Sequence, residues 1–166
     1  MENATKALLM ATGVLIGIVI LALGVYLYLS IGGYVKTSQE EINNQSLAKF
    51  NIQFYNYTSE KNTLFSFQDV VSIANVAYEN NSQKELLNEE KASAGTDYVE
   101  VLVFGVMEPG SRFESSKVHL EKIVGNSKNL SDWLSANYAT NYTCEEQEIT
   151  LNSAKRVNRI VFRKNE

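Results

Sequence analysis

Hydrophobic and polar positions divide this chain into two unlike parts. From Ala7 to Tyr34 no residue carries a charge, and the run ALLMATGVLIGIVILALGVYLYLSIGGY is almost wholly apolar. A helix needs about 20 residues, at ~1.5 Å each, to cross the ~30 Å hydrocarbon layer of a bilayer, and this run exceeds that. The pattern predicts a transmembrane helix over 7–34 behind a short head of residues 1–6. Lys6 and Lys36 bracket the run, and Tyr26, Tyr28 and Tyr34 gather toward one end, as interfacial aromatics do. The apolar region of a cleaved signal peptide runs about 7–15 residues, shorter than this one, although Ala22-Leu23-Gly24 and Ser30-Ile31-Gly32 offer small residues at cleavage spacing.

Within the span, Gly13 and Gly17 form a GxxxG pair, with Gly24 seven residues further on near the same face. Small residues let helices approach closely, so these three glycines are the candidate helix-pairing residues. Gly32-Gly33 falls where the helix leaves the membrane, and reads either as a hinge or as uninterrupted helix.

Past the span the period changes. Leu47, Phe50, Phe54 and Tyr57 recur at spacings of three and four, one face of a stalk helix over 35–57 that continues from the membrane. The remainder, 58–166, reads as an extracytoplasmic α+β domain. Ser66-Phe67-Gln68-Asp69 has the form of an N-terminal capping box, and Phe67, Val70, Val71, Ala74, Ala77 and Tyr78 follow as an apolar stripe. That stripe predicts a second, packed helix ending at Asn80-Asn81-Ser82. Residues 82–96 are polar and read as a linker or short exposed helix.

Tyr98 to Met107 (YVEVLVFGVM) is rich in β-branched and aromatic residues and stops at Glu108-Pro109-Gly110, which predicts a central strand and a turn. Lys117 to Val124 is ambiguous between strand and helix. Leu130 to Tyr138 predicts a short helix with Trp133 and Leu134 inward. Two strands, Tyr142–Leu151 and Arg156–Arg163, flank Asn152-Ser153-Ala154-Lys155 as a C-terminal hairpin. In that hairpin Glu145, Glu146 and Glu148 are expected opposite Arg156, Arg159 and Arg163. The expected fold is a membrane helix running into a stalk, a second packed helix, and a small antiparallel sheet.

Composition narrows what such a domain does. The 166 residues carry 15 Lys and Arg against 19 Asp and Glu, a net charge of −4. From residue 37 onward the count is 13 basic to 18 acidic, or −5, with no dense positive stripe for nucleic acid. One cysteine excludes an internal disulfide framework and a cysteine-based zinc site. His119, the one histidine, has Glu121 nearby but no motif that supplies a nucleophile, and it reads as a surface or half-buried structural residue. Cys144 lies in a predicted strand, either buried or available to cross-link two copies. There is no GxGxxG and no GxxxxGK[ST] phosphate loop, and no spaced acidic calcium loop. Glu89-Glu90 and Glu145-Glu146 are adjacent pairs, which point to opposite faces of a strand. The basic residues from Lys155 to Lys164 read as a solvated strand paired with glutamates. N-x-S/T triplets at Asn44, Asn56, Asn80, Asn129 and Asn141 reflect a chain rich in Asn, Ser and Thr. No catalytic residue, cofactor or metal is expected.

The opening MENATKALLMATGVLIGIVILALGVYLY resembles a family of small, uncharacterised single-pass membrane proteins of Gram-positive Bacillota that begin MENA-x-KAL. The resemblance extends to Phe50-Asn51-Ile52-Gln53-Phe54-Tyr55-Asn56-Tyr57, to Val70-Val71-Ser72-Ile73, and to the ends of the hairpin at Tyr142 to Glu148 and Val157 to Phe162. Thr58 stands where that family has a glycine, and 82–129 shares little with it. The resemblance implies a topology and a bacterial source, and no activity. A looser likeness in layout is to type IV pilins, which set a long apolar N-terminal helix under a small antiparallel sheet. Their processing glycine has no counterpart here: none precedes the apolar run, and Glu2 lies before it.

These readings converge on a non-enzymatic, membrane-anchored interaction or assembly module of the bacterial cell envelope, with a pilin-like subunit of a filament or secretion apparatus as the alternative. The lipid bilayer is the expected partner, with a second copy or an envelope protein beside it. One basic residue flanks each end of the span, so the positive-inside count leaves orientation even. The short head before the helix and the long polar domain after it favour a signal anchor in the plasma membrane, N-terminus cytoplasmic and C-terminal domain outside.

Overall fold

The computed structural model describes residues 2–58, 63–89, 91–125 and 127–165. The first apolar run forms helix, and the helix persists well past its polar end: α1 spans Glu2–Tyr55 without a break at Gly32-Gly33. Two compact units result, Met1–Ser46 and Leu47–Glu166. Between Leu8 and Val35 the large apolar side chains of α1 are exposed. Its final turns belong to the second unit, where Phe54 is completely buried.

The second unit is α+β, as expected. β1 (Phe65–Ser66) leads into α2 (Phe67–Gln83) through the anticipated capping box: Asp69 N–H donates to Ser66 Oγ, and Ser66 N–H donates to Asp69 Oδ2 at 2.9 Å. The stripe of α2, with Phe67, Val70, Ile73, Ala74 and Ala77, is buried in the core. Then come β2 (Glu100–Phe104), β3 (Val106–Met107), β4 (Glu114–Ser115), β5 (Val118–His119), α3 (Leu120–Val124) and α4 (Ser127–Asn137). β6 (Asn141–Thr143), β7 (Ile149–Leu151) and β8 (Val157–Lys164) complete the chain. The ambiguous stretch from Lys117 holds both answers, a short strand and then a short helix. In α4, Trp133 and Leu134 pack against the core as expected.

The sheet corrects one expectation. It is mixed, not antiparallel throughout: in the order β1-β6-β8-β2-β5, the central pair β2 and β8 runs parallel. More than 50 residues and two helices separate them, the long crossover a parallel pair requires. β8 meets β2 along one edge; along the other it pairs first with β7 and then with β6. Four of the five β2 residues are buried, as suits a strand inside such a sheet.

The single strand expected over Tyr142–Leu151 is also two strands, β6 and β7, separated by a 3-10 turn at Glu146–Glu148. Side-chain parity explains the interruption. Tyr142 and Cys144 face inward, so a continuous strand would turn Glu146 and Glu148 into the core and Ile149 out of it. The turn shifts the phase and buries Ile149. One of the three expected cross-strand pairs forms, Glu148 with Arg163. Arg159 reaches Glu100 instead, and Arg156 lies over the Phe50 ring, 3.3 Å from its centroid, while donating to Asn80 Oδ1.

Gly105 separates β2 from β3. Its φ is +76°, and a Cβ there would stand 2.7 Å from the Lys164 Cβ, so both conformation and space call for glycine.

Candidate functional site

β2 carries a charged residue in an otherwise apolar strand. Glu100 is fully buried, and the β2–β5 register, Leu102 opposite His119, brings the imidazole alongside it. Glu121 follows in the first turn of α3 and is 2% exposed. The two carboxylates therefore converge from a strand and a helix start on one imidazole. His119 Nδ1 lies 3.2 Å from Glu100 Oε1 and 3.4 Å from Glu121 Oε1. Among the described residues, neither Glu100 Oε1 nor His119 Nδ1 has a hydrogen-bond partner, so the contact between them is one of charge when the imidazole is protonated.

The remaining carboxylate oxygens are held. Arg159 Nε donates to Glu100 Oε2 at 2.6 Å. Tyr98 Oη–H donates to Glu121 Oε1, and the Val101 N–H to Glu121 Oε2, each at 2.9 Å. Burial, reinforced by Glu121, raises the Tyr98 phenol far above its ordinary range, so the hydroxyl keeps its proton and remains a donor. Asn81 does for Val99 what Glu121 does for Val101. Its side chain accepts from Val99 N–H and donates to Val99 C=O, both at 2.8 Å. Two buried polar side chains thus satisfy backbone groups at the start of β2, beyond the reach of the two-residue β5.

A cavity of about 290 Å³ opens beside this network. Tyr78, Leu87 and Tyr98 supply its apolar walls, Asn81 and Glu121 its polar ones, and the exposed Lys122 also borders it. Gly125 shapes it: a Cβ there would lie 2.4 Å from Tyr78 Cε2, so only glycine lets the tyrosine ring close over the end of α3. Among the described residues, no group of three or more His, Cys, Asp or Glu is placed to hold a metal ion.

The residues singled out from sequence fare differently. Gly13, Gly17 and Gly24 lie on α1 with open space around each. His119 is half-buried, and the structure gives it the carboxylate partners that no motif announced. Cys144 is buried, and burial followed by Glu148 pushes its thiol up to about 12. Of the C-terminal basic residues, Arg159, Arg163 and Lys164 are paired with Glu100, Glu148 and Glu114. Asn80 is buried and bonded to Asp97 C=O and Arg156. Glu90 lies outside the described residues. Sequence reasoning passed over Glu100 and the Tyr98 hydroxyl and gave Arg159 a hairpin glutamate as its partner, although a lone glutamate inside YVEVLVF was a visible sign of a buried charge needing partners.

The molecule is an α+β domain on a chain that also holds a helix long and apolar enough to cross a membrane. No family model matches this chain, and no curated protein or solved structure matches it either.

Proposed function

We propose that the chain is a membrane-anchored, extracytoplasmic interaction or assembly module of the bacterial cell envelope, and that it is non-catalytic. One observation carries this reading. No residue in the most apolar stretch of α1 is buried within the protein, although Leu47–Glu166 completes a core of its own. A run of exposed Leu, Ile and Val of that length needs an apolar solvent, which a bilayer supplies. The engaged state of the buried carboxylates supports a structural or binding role over turnover: Glu100 is tied to Arg159, and Glu121 to Tyr98 and Val101. Protease treatment of intact cells is the test. The domain is expected to be digested from outside; a domain protected in intact cells and cut only after lysis overturns the orientation.

The second reading is a pilin-like subunit of a surface filament or a secretion or conjugation apparatus. It draws on the final turns of α1, where Phe50 and Phe54 join the core of the sheet domain. Mass measurement of the mature N-terminus, with electron microscopy for filaments, separates the two readings.

A further inference from the structure

We propose that the cavity walled by Tyr78, Leu87 and Tyr98 receives the Phe113 ring of a second copy of this chain, so that copies join head to tail. The inference rests on the assembly reading above and names the partner as another molecule of the same chain.

Two features at opposite ends of β2 carry it. At the start of β2 lies the cavity, about 290 Å³, a volume suited to one aromatic side chain. Its polar lining is already engaged: the Asn81 side chain bonds Val99, and both Glu121 oxygens accept hydrogen bonds. An occupant therefore gains apolar contact there, and an aromatic side chain seated in a pocket is a common anchor of protein interfaces.

At its other end β2 passes through Gly105 into the β3–β4 hairpin, where Met107 stands opposite Glu114. Phe113, next to Glu114, is 82% exposed. Asn137 bonds both Met107 N–H and Met107 C=O, which sets Tyr138, 83% exposed, beside the same hairpin. Among the described residues no other large apolar side chain is as exposed as these two, those of α1 included. From Tyr98 to Met107 is nine residues, about 30 Å of extended chain. Ring and cavity are thus too far apart to meet within one molecule, and a neighbouring copy can join them. A contact between two different patches is heterologous and repeats from copy to copy as a row.

Exposed charge agrees in balance. Arg112 and Lys117 lie on either side of Phe113, where Glu114 is paired with Lys164 and Glu108 accepts from Ser115 Oγ–H. Glu85 and Glu89 are exposed on either side of Leu87, with Lys122 the one cation among the residues lining the cavity.

The experiment uses the full chain in phosphatidylcholine vesicles, with donor and acceptor dyes on separate copies through an E2C cysteine, since Cys144 is buried. Energy transfer above that of random mixing at equal surface density is expected. F113S, at an exposed position, should lower the excess at least roughly tenfold, as should L87W, which fills the cavity. Donor-labelled F113S mixed with acceptor-labelled L87W should restore transfer, because one variant keeps the cavity and the other keeps the ring. Absence of excess transfer in the wild type overturns the proposal, as does transfer unchanged by F113S or a mixture without transfer. Should L87W fail to fold, F113S still decides. Flotation of the chain with the vesicles reads the membrane anchor separately. A chain that floats without excess transfer overturns the contact and leaves the anchor standing. One that fails to float overturns the anchor, and its transfer in solution still decides the contact.

Discussion

Single residues in this domain are governed by who satisfies them once they are buried. Asp97 shows the principle at the surface end. A hydrogen bond from Lys84 at 2.6 Å holds its carboxyl below the ordinary carboxylate range, against partial burial, and Asn152 adds a second donor at 2.9 Å. A depressed folded-state value means that the contribution is present above the unfolded value, near pH 4, and is lost as pH falls through the folded one. Urea unfolding against pH should therefore show a K84A variant losing part of the wild type's acid-side slope. The effect should stay at or below about 1 kcal/mol, because both side chains are more than a third exposed. Cys144 lies at the other extreme. With its thiol pushed up to about 12 and its surface buried, it should react with a disulfide reagent at pH 8 only as fast as the domain opens, and at full rate in urea. Cys144 was legible as either buried or available, and packing decides between these. The convergence of Glu100, His119 and Glu121 was not legible, because it depends on a strand register that sequence spacing alone does not set.

At the scale of elements, local signals read correctly and long-range ones did not. The start of α2 was visible because a capping box lies within four residues and its hydrogen bonds are made by those residues alone. Replacing Ser66 by alanine should cost about 1 kcal/mol in denaturant unfolding, with an unchanged denaturant slope. The parallel pairing of β2 with β8 was hidden, because it rests on a crossover whose helices pack through contacts tens of residues apart. So was the break between β6 and β7, though its cause, the odd spacing from Tyr142 and Cys144 to Ile149, is written in the chain. The Glu100–Arg159 bond fastens that parallel pair at its first register position. Removing the guanidinium leaves Glu100 buried with no cation hydrogen-bonded to it, so R159A should destabilise the domain by about 3 kcal/mol. R159K should recover only part of that loss, since an ammonium does not reproduce the guanidinium's planar donor geometry.

For the whole molecule, the informative region is where α1 stops being apolar on all sides and becomes part of the domain. Its last turns are built into the core: Phe54 is fully buried, and Phe50 packs 5.1 Å from it, ring to ring, under the Arg156 guanidinium. Asn51 completes the attachment by donating to Lys155 C=O at 2.8 Å and accepting from Val157 N–H at 2.9 Å, so it grips both ends of the turn into β8. The chain up to Ser46 makes its own compact unit, and these contacts all lie beyond it. Folding of the domain should consequently be indifferent to the chain up to Ser46 and dependent on the eleven residues from Leu47 to Tyr57. A chain beginning at Leu47 should be soluble and melt cooperatively within a few degrees of the full-length protein. One beginning at Thr58 removes four aromatic rings that pack in or against the core, Phe50, Phe54, Tyr55 and Tyr57, together with the Asn51 grip; the loss is at least about 3 kcal/mol, and the chain should melt at least about 10 °C lower or not fold at all. Circular dichroism of the two truncated chains checks both halves. Equal melting would show that the end of α1 is an appendage to the domain, whereas failure of both would place part of the domain's stability in the residues before Leu47.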